Sequence, residues 1–439
     1  MTVAPLDLVI RADRVVMDGR ISPAAVGVAG GKIRVIGPVH ADLAAAEDIG
    51  LPTSAVLLPG FVDTHVHINE PGTDWEGFAT ATAAAAAGGI TTLVDMPLDC
   101  DPVTTTVSAL QLKKRAAQGT CHVGVEFWAG VVPENIDALG ELAAAGARGF
   151  KCFLSDSGNP NFSHLTPEQF RRATQRVADI GAVLLVHAES HDVVDGSPRP
   201  RGRGYSSFLR SRPDAAEEEA VNLALEVAGD TGARVHIVHV SSAGVLPMLA
   251  AAKQAGLRVT AETCPHYLTF AAESIPDGGT QFAACPPIRG EANRRRLWDG
   301  MRDGTLDMIV SDHSPCAPEL KGEGDFGRVS GGISSLQLGP IAAWTQARRH
   351  GYGLPDLCRW MAEKPAALAG LADRGRIAVG QRADLCAFDP DAEQTVHAEA
   401  LRHRTAVTPY DGMALRGSVR QTWLGGGRIY HRKHEGQPV

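Results

Sequence analysis

Eight short apolar runs separated by longer, mostly helix-compatible stretches constrain this chain more than any other feature. The runs are Leu57 to Val62, Thr91 to Asp95, His122 to Trp128, Gly149 to Phe153, Ala182 to His187, Val235 to His239, Arg258 to Thr263 and Asp307 to Asp312. Unbroken apolarity of that length fits parallel strands covered on both faces. The stretches between them include helical patterns at Thr104 to Gln118, Pro167 to Ile180, Ala215 to Thr231 and Ala243 to Gly256. In Thr166-Pro167-Glu168 an N-cap residue precedes a first-turn proline and an acidic side chain, a helix start in chemical terms. Eight such alternations over roughly 260 residues predict an α/β fold of the (β/α)8 TIM-barrel type. A doubly wound open sheet is the rival arrangement.

Both ends of the chain have a different texture. Leu8 to Ile10, Arg14 to Met17, Ala25 to Ala29 and Lys32 to Ile36 are strand-like, and Gly30-Gly31 makes a hairpin turn between the last two. Gly375 to Ala378, Asp384 to Asp389, Val419 to Leu424 and Arg428 to His431 repeat that texture. Neither end is long enough to bury a core alone. The expectation is a small β-sandwich from residues 1–56 and 375–439, bracketing a barrel at 57–374.

Composition narrows the function classes. The net charge is −8 over 439 residues, with no basic stripe for a nucleic-acid surface. Arg and Pro cluster only between Ser197 and Pro213, which is expected to be a mobile loop. No run approaches the 18 uninterrupted apolar residues of a membrane span, and Met1 to Ile10 lacks the pattern of a secretory leader. The eight cysteines form no C-x-x-C pair. They are expected to be reduced thiols in a cytoplasmic protein.

Chemistry gathers where the apolar runs end. His65 and His67 form H-x-H after the first run, and i and i+2 on extended backbone point the same way. Lys151 lies in the fourth run, His187 ends the fifth, His239 the sixth and Asp312 the eighth. Each has an ordinary structural explanation alone. In a parallel barrel, however, all these ends meet at the rim where active sites form. Lys151 stands apart because an ammonium has only donors and cannot ligate a metal. Flanked by Phe150, Cys152 and Phe153, its neutral amine is favoured. A neutral amine can add CO2 to give a carbamate whose two oxygens bridge two cations. His313 is expected to face away from Asp312.

These residues sit in a longer series of motifs. The series runs from Pro59-Gly60-Phe61-Val62-Asp63-Thr64-His65-Val66-His67-Ile68-Asn69-Glu70-Pro71-Gly72 through Trp75-Glu76-Gly77-Phe78 to Gly88-Gly89-Ile90-Thr91-Thr92-Leu93-Val94-Asp95-Met96-Pro97-Leu98. It continues with Glu262-Thr263-Cys264-Pro265-His266-Tyr267-Leu268, Pro286-Pro287-Ile288-Arg289, Ser311-Asp312-His313-Ser314-Pro315 and Gly331-Gly332-Ile333. The whole chain resembles the cyclic amidohydrolases: dihydroorotases, hydantoinases or dihydropyrimidinases, and above all allantoinases.

The resemblance implies two divalent metal ions, zinc foremost, with cobalt, manganese or nickel as alternatives that the ligand types also suit. His65, His67 and Asp312 would hold one, His187 and His239 the other, and carboxylated Lys151 would bridge them. Asp312 would also shuttle the proton. The implied reaction opens the hydantoin ring of allantoin to allantoate, a step of purine catabolism. The alternatives are a hydantoinase-like or dihydroorotase-like reaction on another cyclic ureide. The implied partner is that small molecule, with neither nucleic acid nor membrane, and the implied assembly is a homo-oligomer, a dimer or tetramer.

Position 69 discriminates among the branches. Dihydroorotases typically carry an Arg there for the substrate carboxylate, and here it is Asn69. Hydantoinases typically have a Tyr five residues beyond the bridging lysine, where this chain has Asp156. Allantoinases usually read M-P-L-N after the second strand, and this chain has Asp99 at the last position. Asn69, Ser314 and Gly332 are the candidate substrate contacts.

Overall fold

A glycine cuts the first apolar run in two. In the computed structural model, which describes residues 5–432, Val56–Pro59 and Phe61–Val66 are separate strands in different sheets. A Cβ at position 60 would stand 2.3 Å from Thr91 Oγ1, so only glycine lets the chain pass so close to its neighbour. The hydropathy of Leu57 to Val62 is continuous, and the break shows only in the Pro59-Gly60 dipeptide. The strand Val56–Pro59 straddles the boundary expected after residue 56. The outermost parts of both expected terminal segments, 1–4 and 433–439, lie outside the described residues.

Val56–Pro59 is the seam between the two ends of the chain. It pairs parallel with Leu6–Met17 at Val15–Leu57 and antiparallel with Leu385–Thr395 from Leu385–Pro59 to Phe388–Val56. Arg20–Ala29 and Lys32–Gly37 extend the sheet on one side, Ala414–Leu424 and Gly427–His431 on the other. Gly30 and Gly31 turn the first hairpin with φ of +57° and +74°, the left-handed pair that a tight two-residue hairpin needs. Leu8, Ile10, Val26, Ile33, Leu385 and Trp423 share one buried cluster, so strands from both ends enclose a common core.

The middle of the chain forms two wholly parallel sheets. One orders Phe61–Val66, Ile90–Asp95 and Gly124–Phe127. The other orders Ala129–Gly130, Phe150–Phe153, Val183–His187, Arg234–Ile237, Val259–Thr263 and Met308–Ile309. Every residue of Phe61–Val66, Ile90–Asp95 and Val183–His187 is buried, which accounts for their unbroken apolarity. The chain passes from one sheet to the other within Gly124–Gly130. Beyond Met308–Ile309, His313 makes a parallel bridge to Val66, and its carbonyl accepts from His67 N at 2.8 Å.

Helices lie between the strands. Pro167–Ile180 starts as its sequence demands: Thr166 Oγ1 accepts from Gln169 N at 3.3 Å, and Gln169 Oε1 accepts from Thr166 N at 2.9 Å. It ends at Gly181 with φ +76°. Val107–Ala117 is capped by Thr106, two residues inside the expected start, and Asp214–Thr231 fits its expected span closely. The stretch from Ala243 begins as a short 3-10 turn and becomes α-helical at Leu246–Gln254.

Candidate active site

The polar side chains of the strand ends are drawn together by a buried carboxylate that is not itself a candidate ligand. Both Asp63 oxygens accept from Ser311 N at 3.2 Å, and Oδ1 also accepts from His65 N at 3.2 Å. Burial pushes this carboxyl up to about 6 against those hydrogen bonds. The contact ties the exit of Phe61–Val66 to the segment after Met308–Ile309. His65 Nε2 thereby comes 3.2 Å from Asp312 Oδ1, and His67 Nε2 comes 3.7 Å from the same oxygen. Across the cavity, His187 Nδ1 stands 3.0 Å from His239 Nε2, and the His65 and His239 ring centres are 5.3 Å apart. Lys151 is buried between these groups, with Nζ 4.8 Å from the centre of the Phe153 ring.

His187 closes its strand, His239 lies two residues past Ile237 and Asp312 three past Ile309. His239 and Asp312 adopt φ of +39° and +45°, a left-handed backbone that side chains other than glycine seldom take. Strain of this kind, of order 1–3 kcal/mol, persists only where surrounding contacts hold it.

A second set of residues fixes the ring orientations, and sequence reasoning missed it. Glu262 Oε1 lies 2.5 Å from His65 Nδ1, and its Oε2 lies 2.9 Å from His236 Nε2. Burial alone would raise Glu262, but His236 and His65 outweigh it and hold it down at about 2. Glu189 Oε2 is 2.7 Å from His187 Nε2 and also paired with Arg212. Arg212 and His187 overcome its burial and set Glu189 at about 2 as well. His67 Nδ1 rests 2.7 Å from Leu98 O. One nitrogen of His65, His67 and His187 is thus held by an outer oxygen, the arrangement by which outer partners orient ligating imidazoles. The one available signal was His187-Ala188-Glu189, an i, i+2 pair like H-x-H.

Burial lowers His67 and His239 well below the ordinary histidine value, and lowers His187 to about 4 against the pull of Glu189. These rings are neutral near pH 7, the form that can donate a lone pair. His313 lies apart. Its Nδ1 accepts from Ser335 N and Leu336 N at 3.1 and 3.3 Å, and its Nε2 is 3.4 Å from buried Glu76. Glu76 also accepts from Arg404 N at 3.1 Å, so it braces His313 from outside, while its neighbour Trp75 lines the cavity.

The cavity over these groups has a volume of about 480 Å3, within the size range of small-molecule sites. Ser314 and Gly332 line it. Ser314 Oγ is 3.3 Å from Asp312 Oδ1, and a Cβ at Gly332 would stand 2.3 Å from Ser314 O, so glycine is required there. Asn69 does not line it. Its Nδ2 donates to Pro315 O at 3.1 Å and its Oδ1 accepts from Asp99 N at 3.2 Å. Asn69, expected as a direct substrate contact, has both ends of its amide engaged by the protein instead. Asp99 and Asp156 line the cavity instead, as does the loop from Ser197 to Pro200 with Arg212.

The family model described as "Amidohydrolase family" matches residues 56–429. The chain belongs to the amidohydrolase family. Within comparison proteins, an allantoinase of Streptomyces avermitilis is 49% identical over 428 residues, covering 97% of this chain and 95% of its own length. An allantoinase of Saccharomyces cerevisiae is 44% identical over 383 residues, covering 85% and 82%. Among solved structures, L-hydantoinase (dihydropyrimidinase) from Arthrobacter aurescens superposes with a TM-score of 0.92 at 29% identity, covering 97% of this chain and 96% of its own. A D-hydantoinase structure gives 0.87 at 26% identity, with 97% and 95% covered.

This amidohydrolase's membership implies a binuclear divalent metal site, and its residues fit one. The ligand atoms of His65, His67 and Asp312 lie within 4.8 Å of one another. His65 Nε2 and His239 Nδ1 are buried without a hydrogen-bond partner. Such orphaned acceptors are costly unless something fills them. Cys264, His266 and Asp312 also cluster, but burial raises the Cys264 thiol well above its ordinary range, which disfavours the thiolate a metal needs. The eight cysteines are all unpaired, and no described helix is long and apolar enough to cross a membrane.

Proposed function

We propose that this amidohydrolase is an allantoinase: it hydrolyses the hydantoin-ring amide of allantoin to give allantoate. One observation carries the reading, the convergence of four histidines, Lys151 and Asp312 on a single cavity. Similarity to the Streptomyces and yeast allantoinases supports the choice of substrate. His65, His67 and Asp312 would hold one cation, His187 and His239 the other, with the Lys151 carbamate between them. Zinc is the preferred metal, since imidazole and carboxylate suit it. When bound, two such cations would lower the pKa of a shared water towards about 7 and polarise the scissile carbonyl.

The chain's own groups handle the protons. Asp312 accepts the proton of the attacking water and returns it to the departing ring nitrogen, which otherwise leaves poorly as an anion. Ser314 holds the Asp312 carboxylate from 3.3 Å. Glu262 and Glu189 keep His65 and His187 in their required tautomers.

The same proposal extends to architecture. The passage through Gly124–Gly130 and the Val66–His313 bridge support closure of the two parallel sheets into a (β/α)8 barrel at about residues 60–374. The shared core of Leu8, Val26, Leu385 and Trp423 supports a terminal sandwich. A cytoplasmic homo-oligomer, dimer or tetramer, acting on a small cyclic ureide completes the reading.

Two results test it. Chelated protein should be inactive, and reloaded protein should bind close to two metals per chain and convert allantoin to allantoate without releasing ammonia. Full activity in metal-free protein would refute the mechanism. Asp312→Asn should lower kcat by about 10²-fold or more, the lower range for a lost general acid–base. Metal content must be measured alongside, and near-normal kcat at full occupancy would exclude the proton role.

A further inference from the structure

Asp99 occupies an unusual position on the cavity wall. Its backbone N donates to Asn69 Oδ1 at 3.2 Å, and Asn69 is anchored in turn on Pro315 O. Its side-chain Oδ1 accepts from Asn159 Nδ2 at 3.0 Å. Asn159 is itself oriented, because its Oδ1 accepts from Asn161 N at 3.0 Å and its own N donates to Ser157 Oγ at 3.1 Å. Residue 99 is therefore held from both sides. The preceding carbonyl, Leu98 O, contacts His67 Nδ1 at 2.7 Å, so the wall carrying Asp99 adjoins a candidate ligand. Asp99 lines the cavity, and Asn159 donates a hydrogen bond to its side chain.

A carboxylate only accepts hydrogen bonds. Hydantoin and allantoin share the ring, and they differ by a ureido arm whose nitrogens carry a fork of N–H donors. The ring carbonyl under attack has to face His65, His67 and Asp312, so a substituent on that ring extends towards the cavity walls.

We infer that Asp99 is a specificity-determining residue that accepts the ureido N–H groups of the substrate, with Asn69 and Asn159 as its positioning partners. This rests on the allantoinase reading above. The carboxylate oxygen not taken by Asn159 receives one N–H, and the remaining lone pair of Oδ1 receives the second. Hydantoin makes no such contact and is bound by the rest of the site alone.

Asp99→Ala separates the two ligands. The expected result is a fall in kcat/KM on allantoin of about 10- to 100-fold, the range for a lost hydrogen bond to a charged group. The inhibition constant of hydantoin as a competitor and the metal content should stay within about twofold of the unmodified protein. Asp99→Asn, which keeps one acceptor oxygen and the Asn159 contact, should restore more allantoin turnover than Asp99→Ala. Equal weakening of allantoin and hydantoin would reduce Asp99 to a structural role and overturn the assignment, and so would no change in either. Failure of the unmodified, metal-loaded protein to turn over allantoin would refute the underlying reading instead, and is seen before any variant is made.

Discussion

Lys151→Ala should lower kcat/KM on allantoin by about 10⁴-fold or more, on the scale of losing a residue from a cooperating catalytic unit. Lys151 is 1% exposed and sits among the residues that would hold the two cations. Burial lowers its amine to about 8, while Asp312 and Glu262 pull it back up. That value brings a substantial neutral fraction near physiological pH, where an ordinary lysine has almost none. Neutral amine plus CO2 gives a carbamate and a proton, and the carbamate supplies the two oxygens that the cationic side chain lacks. Alanine removes both oxygens and leaves space. A short carboxylic acid added to the variant should therefore restore part of the activity by standing where the carbamate stood. Mass spectrometry of active, metal-loaded protein carrying an unmodified Lys151 would end the argument.

Allantoin should exceed dihydroorotate in kcat/KM by more than about 10³-fold. Dihydroorotate brings a carboxylate, and a buried anion without its cation costs several kcal/mol, each 1.36 kcal/mol being a factor of ten. The structure leaves that anion no obvious host. Asn69 is bound to Pro315 and Asp99 rather than lining the cavity, and Asp99 and Asp156 line it with like charge. Of the lining arginines, Arg212 is committed to Glu189, and Arg199 lies 2.8 Å from Asp195. Parallel steady-state assays of both substrates on one preparation decide the matter. Comparable efficiencies would overturn the substrate assignment and leave the metal chemistry standing.

The sequence made some of this legible and hid the rest for identifiable reasons. His65, His67, Lys151, His187, His239 and Asp312 were visible because each falls within, at the end of or just after an apolar run, and run ends in parallel sheets share one rim. The helix at Pro167–Ile180 was visible because its cap is local chemistry. Asn69 was misread because its partners, Asp99 and Pro315, lie 30 and 246 residues away. The partners of Glu262 lie 197 and 26 residues away on other strands, and Arg212 is 23 residues from Glu189, so these pairings leave no periodic trace, whereas Glu189 stands only two residues from His187. The eighth strand shrinks to Met308–Ile309 because the chain beyond it is held by Asp63 and Val66 rather than by a regular ladder.

The seam at Val56–Pro59 also orders events in time. Its antiparallel partner, Leu385–Thr395, follows more than 300 residues later in the chain. At typical translation speeds of about 5–20 residues per second, that separation is a delay of roughly 15 s to a minute on the ribosome. Throughout the delay one edge of the early sheet, the kind of edge that recruits stray strands, has no native cover. The segments bearing His65 through Asp312 are all synthesised within it, so the candidate site residues are made before the terminal sheet can be finished.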